Sequence, residues 1–520
     1  MEGTIYYLLW AIPVIWLYSY IVDAVQIWKS AKEYTVAGGL PALTPRFILN
    51  FNFSMRAPKL IRDGYRKYKD RAIQFVRSDG NTLILPYAVL EELAALPPTV
   101  AGPSDGLDKD LMGGYTGIDM ILDNRIHHSV VQRRLTPRLP NLVPLLEKSI
   151  TSAFKEYFPK AEEWTPITPF HLFAEIAART NAPALVGPLF AQNREWLDIA
   201  IGYTEEIMKT MLLLRMIPWF MYPVAVRLLP SYWKARRCIQ KSRKILMPKI
   251  REMLEAYDNG TWDPKLATDE ADKNTLSWLA GSVKGRERNP VLIAHAELLL
   301  AFASTHTTIT RVVNSLYDLM AADTADGSLT NELRAEIDDV AAGANGWNDV
   351  PYDRLHKLDS MLRESQRTSP TMLLGMKRVF KQPHTFQNGI HVPAGSFTAM
   401  MVAQIENDPA YTPNPEDFDA LRWYREKQKL GLQNPAARDF DFSAVTRTAL
   451  SFGYGRSACP GRFFASLVVK MIYVKMLTEY EFRFMPGQGR PQVMSLQDFL
   501  VTSPTQQILV RRRKGGVCPY

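Results

Sequence analysis

The sequence predicts a single large, mainly α-helical domain with a minor β component, carried behind one N-terminal membrane-spanning helix. Three observations lead there. From about Asn141 to Ala322 the apolar residues recur mostly at helical spacing. Residues 46–500 hold no Pro/Gly-rich linker, and no repeat of 20–50 residues is visible, so nothing divides the chain. Gly3 to Val22, "GTIYYLLWAIPVIWLYSYIV", carries no charge over about twenty residues, the length that crosses a bilayer.

The bulk numbers agree. The 520 residues are 47% hydrophobic and 22% charged, which gives ample core and excludes a disordered chain. A net charge of +9 suits an acidic protein partner or an anionic membrane surface. Its one dense run, "RRRK" (Arg511 to Lys514), reads as a solvated tail and not as a nucleic-acid site. Three cysteines, Cys238, Cys459 and Cys518, form no disulfide framework and no C-x-x-C pair. The folded part is therefore expected in a reducing compartment, without a zinc ribbon.

The first element is the anchor, residues 1–30, spanning at about 3–22. Trp10, Trp16 and four tyrosines are interface-seeking rings. Glu2 leads and no small-residue cleavage site comes after the apolar run, which argues against a cleaved signal. Lys29 and Lys32 just after the span put the downstream chain on the cytosolic side. The alternative, a buried core helix, is disfavoured by the position at the start of the chain. "AGGLPALTP" (Ala37 to Pro45) then marks a hinge over 31–45, and 46–520 form the catalytic domain. Strand character is present in Ala72–Arg77 and Thr82–Pro86, across the turn "SDGN". A helix buried on most faces begins with Asn289 as N-cap and Pro290 at its first position. The helix "RLHKLDSMLRESQR" precedes a strand-like Thr371–Phe380.

The chemistry is concentrated in Leu450–Val469, "LSFGYGRSACPGRFFASLVV". Gly453, Gly455 and Ala458 spell the dinucleotide fingerprint G-x-G-x-x-A, and Glu479 lies about twenty residues on. But only about 60 residues come after Cys459, too few for two mononucleotide-binding halves, and Pro460-Gly461 interrupts the turn. The nucleophile elbow G-x-S-x-G fails as well, because Cys459 stands where its last glycine belongs. The alternative is that Cys459 holds a metal. Phe452, Gly453, Gly455, Cys459 and Gly461 fit F-G-x-G-x-x-x-C-x-G, whose glycines let backbone approach a flat macrocycle. The N–H groups of a helix opening at Pro460–Arg462 would favour a thiolate.

This stretch closely resembles the haem-binding loop of the cytochrome P450 family, and "CPGRFFA" is a form common in its fungal members. Two further motifs agree in order and separation, so the resemblance covers roughly residues 45–510. Glu364 and Arg367 in "MLRESQR" match the E-x-x-R helix, and Arg422 in "FDALRW" stands where the family's third, core-locking member is expected, although Ala420 and Leu421 depart from the consensus. "ASTHTT" (Ala303 to Thr308) matches the oxygen-activation segment, with Ser304 for its glycine and His306 for its acid. Thr307 would then be the hydroxyl that guides protons to dioxygen. His306 would either relay protons, with a pKa near neutrality, or pack within the helix.

The resemblance implies the P450 fold and a haem whose iron is held by the Cys459 thiolate. Candidates for the haem carboxylates are Arg378, His128, Arg133 and Arg456, with Ser457 in place of the usual basic residue. The implied reaction is an NADPH- and O2-dependent monooxygenation of an apolar small molecule, of terpenoid, polyketide or alkaloid type. Electrons would come from NADPH–cytochrome P450 reductase, or from cytochrome b5. The place would be the endoplasmic reticulum membrane, single-pass, with the catalytic domain in the cytosol and the sequons at Asn52 and Asn259 unglycosylated. Pocket candidates are Phe302, Ala303, Met372, Leu373, Leu374, Val501 and Thr502. The alternatives are a haem-thiolate catalyst of ring expansion, dehydration or isomerisation without net oxygen insertion, and a haem-based sensor or an inactive scaffold.

Overall fold

The computed structural model describes residues 2–38, 44–123, 125–264, 272–323, 327–343, 346–348 and 351–520, and their side chains except at 2–13, 15–16, 31 and 123. Its longer helices are α1 (Glu2–Glu33), α2 (Arg46–Tyr68), α3 (Leu139–Tyr157), α4 (Pro169–Val186), α5 (Arg194–Leu214), α6 (Pro230–Asp258), α7 (Pro290–Ala322), α8 (His356–Thr368), α9 (Arg422–Leu430) and α10 (Arg462–Glu479). The helical middle of the chain is as expected, with the strand Thr165–Ile167 inside it.

The centre is α7. It starts where the sequence says: Asn289 caps it by accepting from the Val291 N–H at 2.9 Å, and Pro290 gives up no hydrogen bond at the first position. Ile293–Ala301 and Thr308–Leu319 are buried, and the helix packs against α4, α5, α6, α8 and α10. This helical core is one apolar cluster; α2 and the larger sheet enclose a second.

That sheet has six strands in the order Thr35–Val36, Ile73–Arg77, Gly80–Ile84, Phe397–Met400, Gly375–Phe380, Ala101–Gly102. Its hairpin is tighter than the sequence suggested. Arg77 pairs with Gly80, so the second strand begins at Gly80, where φ is +134°, and not at Thr82. The strand expected over Thr371–Phe380 starts at Gly375. Its first residues instead join the hairpin Met494–Val501, with Met372 bridged to Phe499 and the Leu373 N–H donating to Asp498 O at 2.8 Å. A second sheet joins Tyr480–Phe484, Ile508–Arg512 and Thr165–Ile167.

Among the described residues no helix is long and apolar enough to cross a membrane; most side chains of the expected span 3–22 lie outside the described ones. α1 continues past that span, and its C-terminal half docks on the body. Ile27 is buried there, and Asp23 pairs with Arg46 at 2.8 Å. Of the expected hinge 31–45, Thr35–Val36 pairs in parallel with Ile73–Gln74, and residues 39–43 lie outside the described ones.

A buried charge cluster ties distant elements together. Asp110 meets Arg77 at 3.1 Å, Arg215 at 2.8 Å and Lys377 at 2.6 Å; Lys377 also reaches Asp498 at 2.6 Å, and Arg77 reaches Asp79 at 3.1 Å. Three cations and three carboxylates neutralise each other where burial would otherwise penalise every charge.

Candidate active site

The cysteine loop is built by two left-handed glycines. Gly453 (φ +80°) and Gly455 (φ +63°) adopt backbone that side chains resist, and a Cβ on Gly455 would stand 3.1 Å from Ala94 Cβ. The turn closes through the Cys459 N–H donating to Phe452 O at 2.7 Å, with the Phe452 ring edge-on to Phe442. Gly461 then caps α10, and a Cβ there would come 3.9 Å from Val131, on the helical segment just after His128.

The loop is hung from a residue that sequence reasoning missed. Buried Glu406 accepts from the Leu450 N–H, from the Ser451 N–H at 2.7 Å, and from the Ser451 hydroxyl at 3.0 Å. Its partners are loop groups more than forty positions away, so no spacing marks it.

Cys459 is accessible although protein surrounds it closely. Burial pushes its thiol up, opposed by the N–H groups of Gly461 and Arg462 and by the Arg462 charge. The helix opening thus acts in the expected direction, but desolvation outweighs it.

Two residues before Cys459, Ser457 accepts from the guanidinium of Arg378, which also donates to Lys377 O at 2.8 Å. Arg378 is 5% exposed, and among the described residues no carboxylate pairs with it. Burial, then the nearby charge of Arg125, hold it down to about 10. Arg125 was not anticipated. His128 is half-buried, its imidazole lowered by burial and then by Arg125. Arg133 and Arg456 are exposed.

On α7, Ala303 and Thr307 are exposed one turn apart within an otherwise enclosed helix, so they face an internal opening. The Thr307 hydroxyl donates to Ala303 O at 2.7 Å, Thr308 to Ser304 O at 2.7 Å, and Ser304 to Ala301 O at 3.3 Å. His306 sits edge-on to Phe170 of α4 with ring centroids 5.9 Å apart, and burial pushes it below its ordinary range. Its surroundings match the packing alternative.

Beneath lies the ion-paired core. Glu364, fully buried, takes two bonds from Arg367, at 2.6 and 3.1 Å, and one from Arg422 at 3.1 Å. The Trp423 indole at 3.0 Å and the Asp419 N–H at 3.1 Å complete its shell. Both expected partners are in place; Trp423 was missed. Of the pocket candidates, Ala303 and Met372 are exposed, and Phe302 and Val501 half-buried. Leu373 and Leu374 belong instead to the apolar core of the sheet, and buried Thr502 donates to Asn314 at 2.8 Å. The β-bridge of Met372 to Phe499 draws the chain inward at these positions.

A family model for cytochrome P450 matches residues 109–510. The chain belongs to the cytochrome P450 family. This P450 is 34% identical to the cytochrome P450 monooxygenase AtmP of Aspergillus flavus over 480 residues, 91% of this chain and 88% of the relative. It is 32% identical to the cytochrome P450 monooxygenase AN1598 of Emericella nidulans over 471 residues, 90% and 86% of the two chains. It is 28% identical to the ent-kaurene oxidase P450-4 of Gibberella fujikuroi over 503 residues, 96% of each chain. This P450 is thus an oxidoreductase of the fungal monooxygenase kind found in secondary metabolism, with the helix-rich fold and small sheets of its family. The family's cofactor, haem, fits the residues present. An accessible thiol lies two positions after Ser457, whose hydroxyl accepts from a buried guanidinium that has no carboxylate partner among the described residues, which matches a metal bound in an anionic macrocycle.

Proposed function

We propose that this P450 is an endoplasmic-reticulum monooxygenase that inserts one oxygen atom of O2 into an apolar natural product, with electrons from NADPH through a flavoprotein reductase. The observation that carries the haem assignment is the juxtaposition of Cys459, Ser457 and Arg378. Haem held through a thiolate would supply the oxidation of unactivated carbon, the sulfur being a strong electron donor to the iron. Cys459 would hold the iron through its thiolate, with Gly453, Gly455 and Gly461 keeping the loop thin enough for close approach. Arg378, assisted by Arg125 and His128, would neutralise the cofactor's carboxylates. Thr307 would present its hydroxyl to the reacting face, having Ala303 O as its resting acceptor. Ala303, Phe302 and Met372 would give the substrate an apolar wall.

Membrane residence has two supports. One is the uncharged run 3–22. The other is the set of exposed apolar residues at Phe47, Ile48, Phe51 and Met55 of α2, and at Trp219, Met221, Val224 and Leu228 between α5 and α6. The cleft where Tyr20, Phe47, Trp219 and Phe220 meet joins the two sets.

The test is the carbon monoxide difference spectrum of reduced membranes carrying wild type or Cys459→Ala. A strongly red-shifted Soret band, lost in the variant, is expected. A wild type that carries haem without that band would remove Cys459 as ligand. Labelled O2 then separates insertion from rearrangement: the label in the product supports insertion, and its absence favours the rearrangement reading.

A further inference from the structure

A second cleft, of about 280 Å³, opens between α6, α7 and the turn around Gly117–Met120. Arg236, Gln240 and Arg243 form a stripe along one face of α6, at spacings of four and three residues, and His295 of α7 closes the far side. Neither arginine makes an ion pair or donates a hydrogen bond among the described residues, and the Nε of Arg243 is buried without a partner. His295 is 9% exposed, and its Nε2 likewise finds no hydrogen-bond partner. Burial first, then the charges of Arg243 and Arg236, hold its imidazole down at about 4, against an opposing pull from the Gly117 backbone. The cleft's one carboxylate is Asp119, exposed.

We propose that this cleft binds a phosphate group, at a site separate from the substrate pocket. Unpaired buried donors are costly, and two of them, Arg243 Nε and His295 Nε2, converge from two helices on one concave space, with Arg236 and Gln240 exposed at its mouth. A carboxylate offers two oxygens in a plane, whereas phosphate accepts from several directions, as donors on both walls require. The separation from the reaction rests on helix geometry. His295 precedes Thr307 by twelve residues, about 18 Å along α7 and about 120° around it, so the two side chains serve different spaces. The phosphate could belong to a free metabolite or to a lipid headgroup; Arg236 lies one turn beyond the exposed Trp233.

The test is calorimetric titration of the full-length haem-loaded protein, in phosphatidylcholine nanodiscs at constant ionic strength, with pyrophosphate. Saturable binding is expected, about tenfold weaker in Arg236→Gln and weaker again in Arg236→Gln/Arg243→Gln, with the haem spectrum unchanged and Arg237→Gln binding as wild type. Repeating it in discs containing phosphatidic acid separates the sources: competition assigns a headgroup, and undisturbed binding assigns a free phosphate. Failure to saturate, or equal binding by the double variant, overturns the proposal.

Discussion

Thr307 and His306 are chain neighbours with different surroundings. Thr307 faces an internal opening with its hydroxyl resting on Ala303 O; His306 lies against Phe170 between α4 and α5. Thr307→Ala should therefore keep haem and the Cys459 spectrum, while product per NADPH falls about tenfold and peroxide rises. Unchanged product and peroxide would remove Thr307 from oxygen chemistry. His306→Phe, which keeps the ring contact, should leave that coupling intact. Another residue of α7, Glu297, titrates. Glu297 is fully buried against the Thr275 hydroxyl at 2.8 Å, and burial lifts its pKa to about 8. Between its unfolded value near 4.5 and about 8 the unfolded chain has lost this proton while the folded one keeps it, so the group subtracts stability as pH rises across that window. Glu297→Gln should flatten that slope and be the more stable protein at pH 8, as read by thermal unfolding. Thr307 was legible from its motif. The setting of His306 was not, because Phe170 approaches from another helix.

Elements carry the next level. The α8 pair and the 413–423 segment make one knot around Glu364: Arg367 also holds Pro415 O at 2.6 Å and Asp417 O at 3.1 Å, and Arg422 holds Asn414 O at 3.2 Å. Arg367→Ala would leave a buried carboxylate short of its main cation, a loss of about 3–5 kcal/mol. Expression should then yield little haem-loaded protein, as read from the carbon monoxide band per milligram. Trp423→Phe removes one donor to Glu364 and should lower the melting temperature by only a few degrees, consistent with a loss of about 1–3 kcal/mol. Glu364, Arg367 and Arg422 could be read in advance because they stand where the resembling family has its E-x-x-R helix and its third, core-locking arginine. Trp423 and Glu406 could not: Trp423 meets Glu364 across two separate helices, and Glu406 meets the loop at Leu450 and Ser451, so no spacing marks either. Element edges moved for a similar reason: the Arg77–Gly80 pairing sets where the hairpin strands end, and the Met372–Phe499 bridge draws residues 371–374 away from the strand.

For the whole molecule, α1 poses the question. Its C-terminal half docks through Ile27 and Asp23, while residues 3–22 supply the uncharged run. Deleting residues 2–22 should leave the haem spectrum intact and shift the protein from alkali-resistant membrane pellets toward release at high pH. Complete release of the full-length chain would refute the anchor. Residual binding of the truncated chain would measure the apolar residues of α2 and of 219–228. The Asp110 cluster adds a different constraint on the same region. Arg215, at the end of α5, is fixed to Asp110, and Tyr222 meets Ser78 at 2.7 Å, so the segment from Met216 to Leu229 is held to the body at two points. Since the cluster balances three charges against three, it resists single exchanges. Divergence there should proceed in matched pairs, an acid changing together with its base, and a lineage that loses one alone would lose the clamp that holds this rim of the molecule to its body.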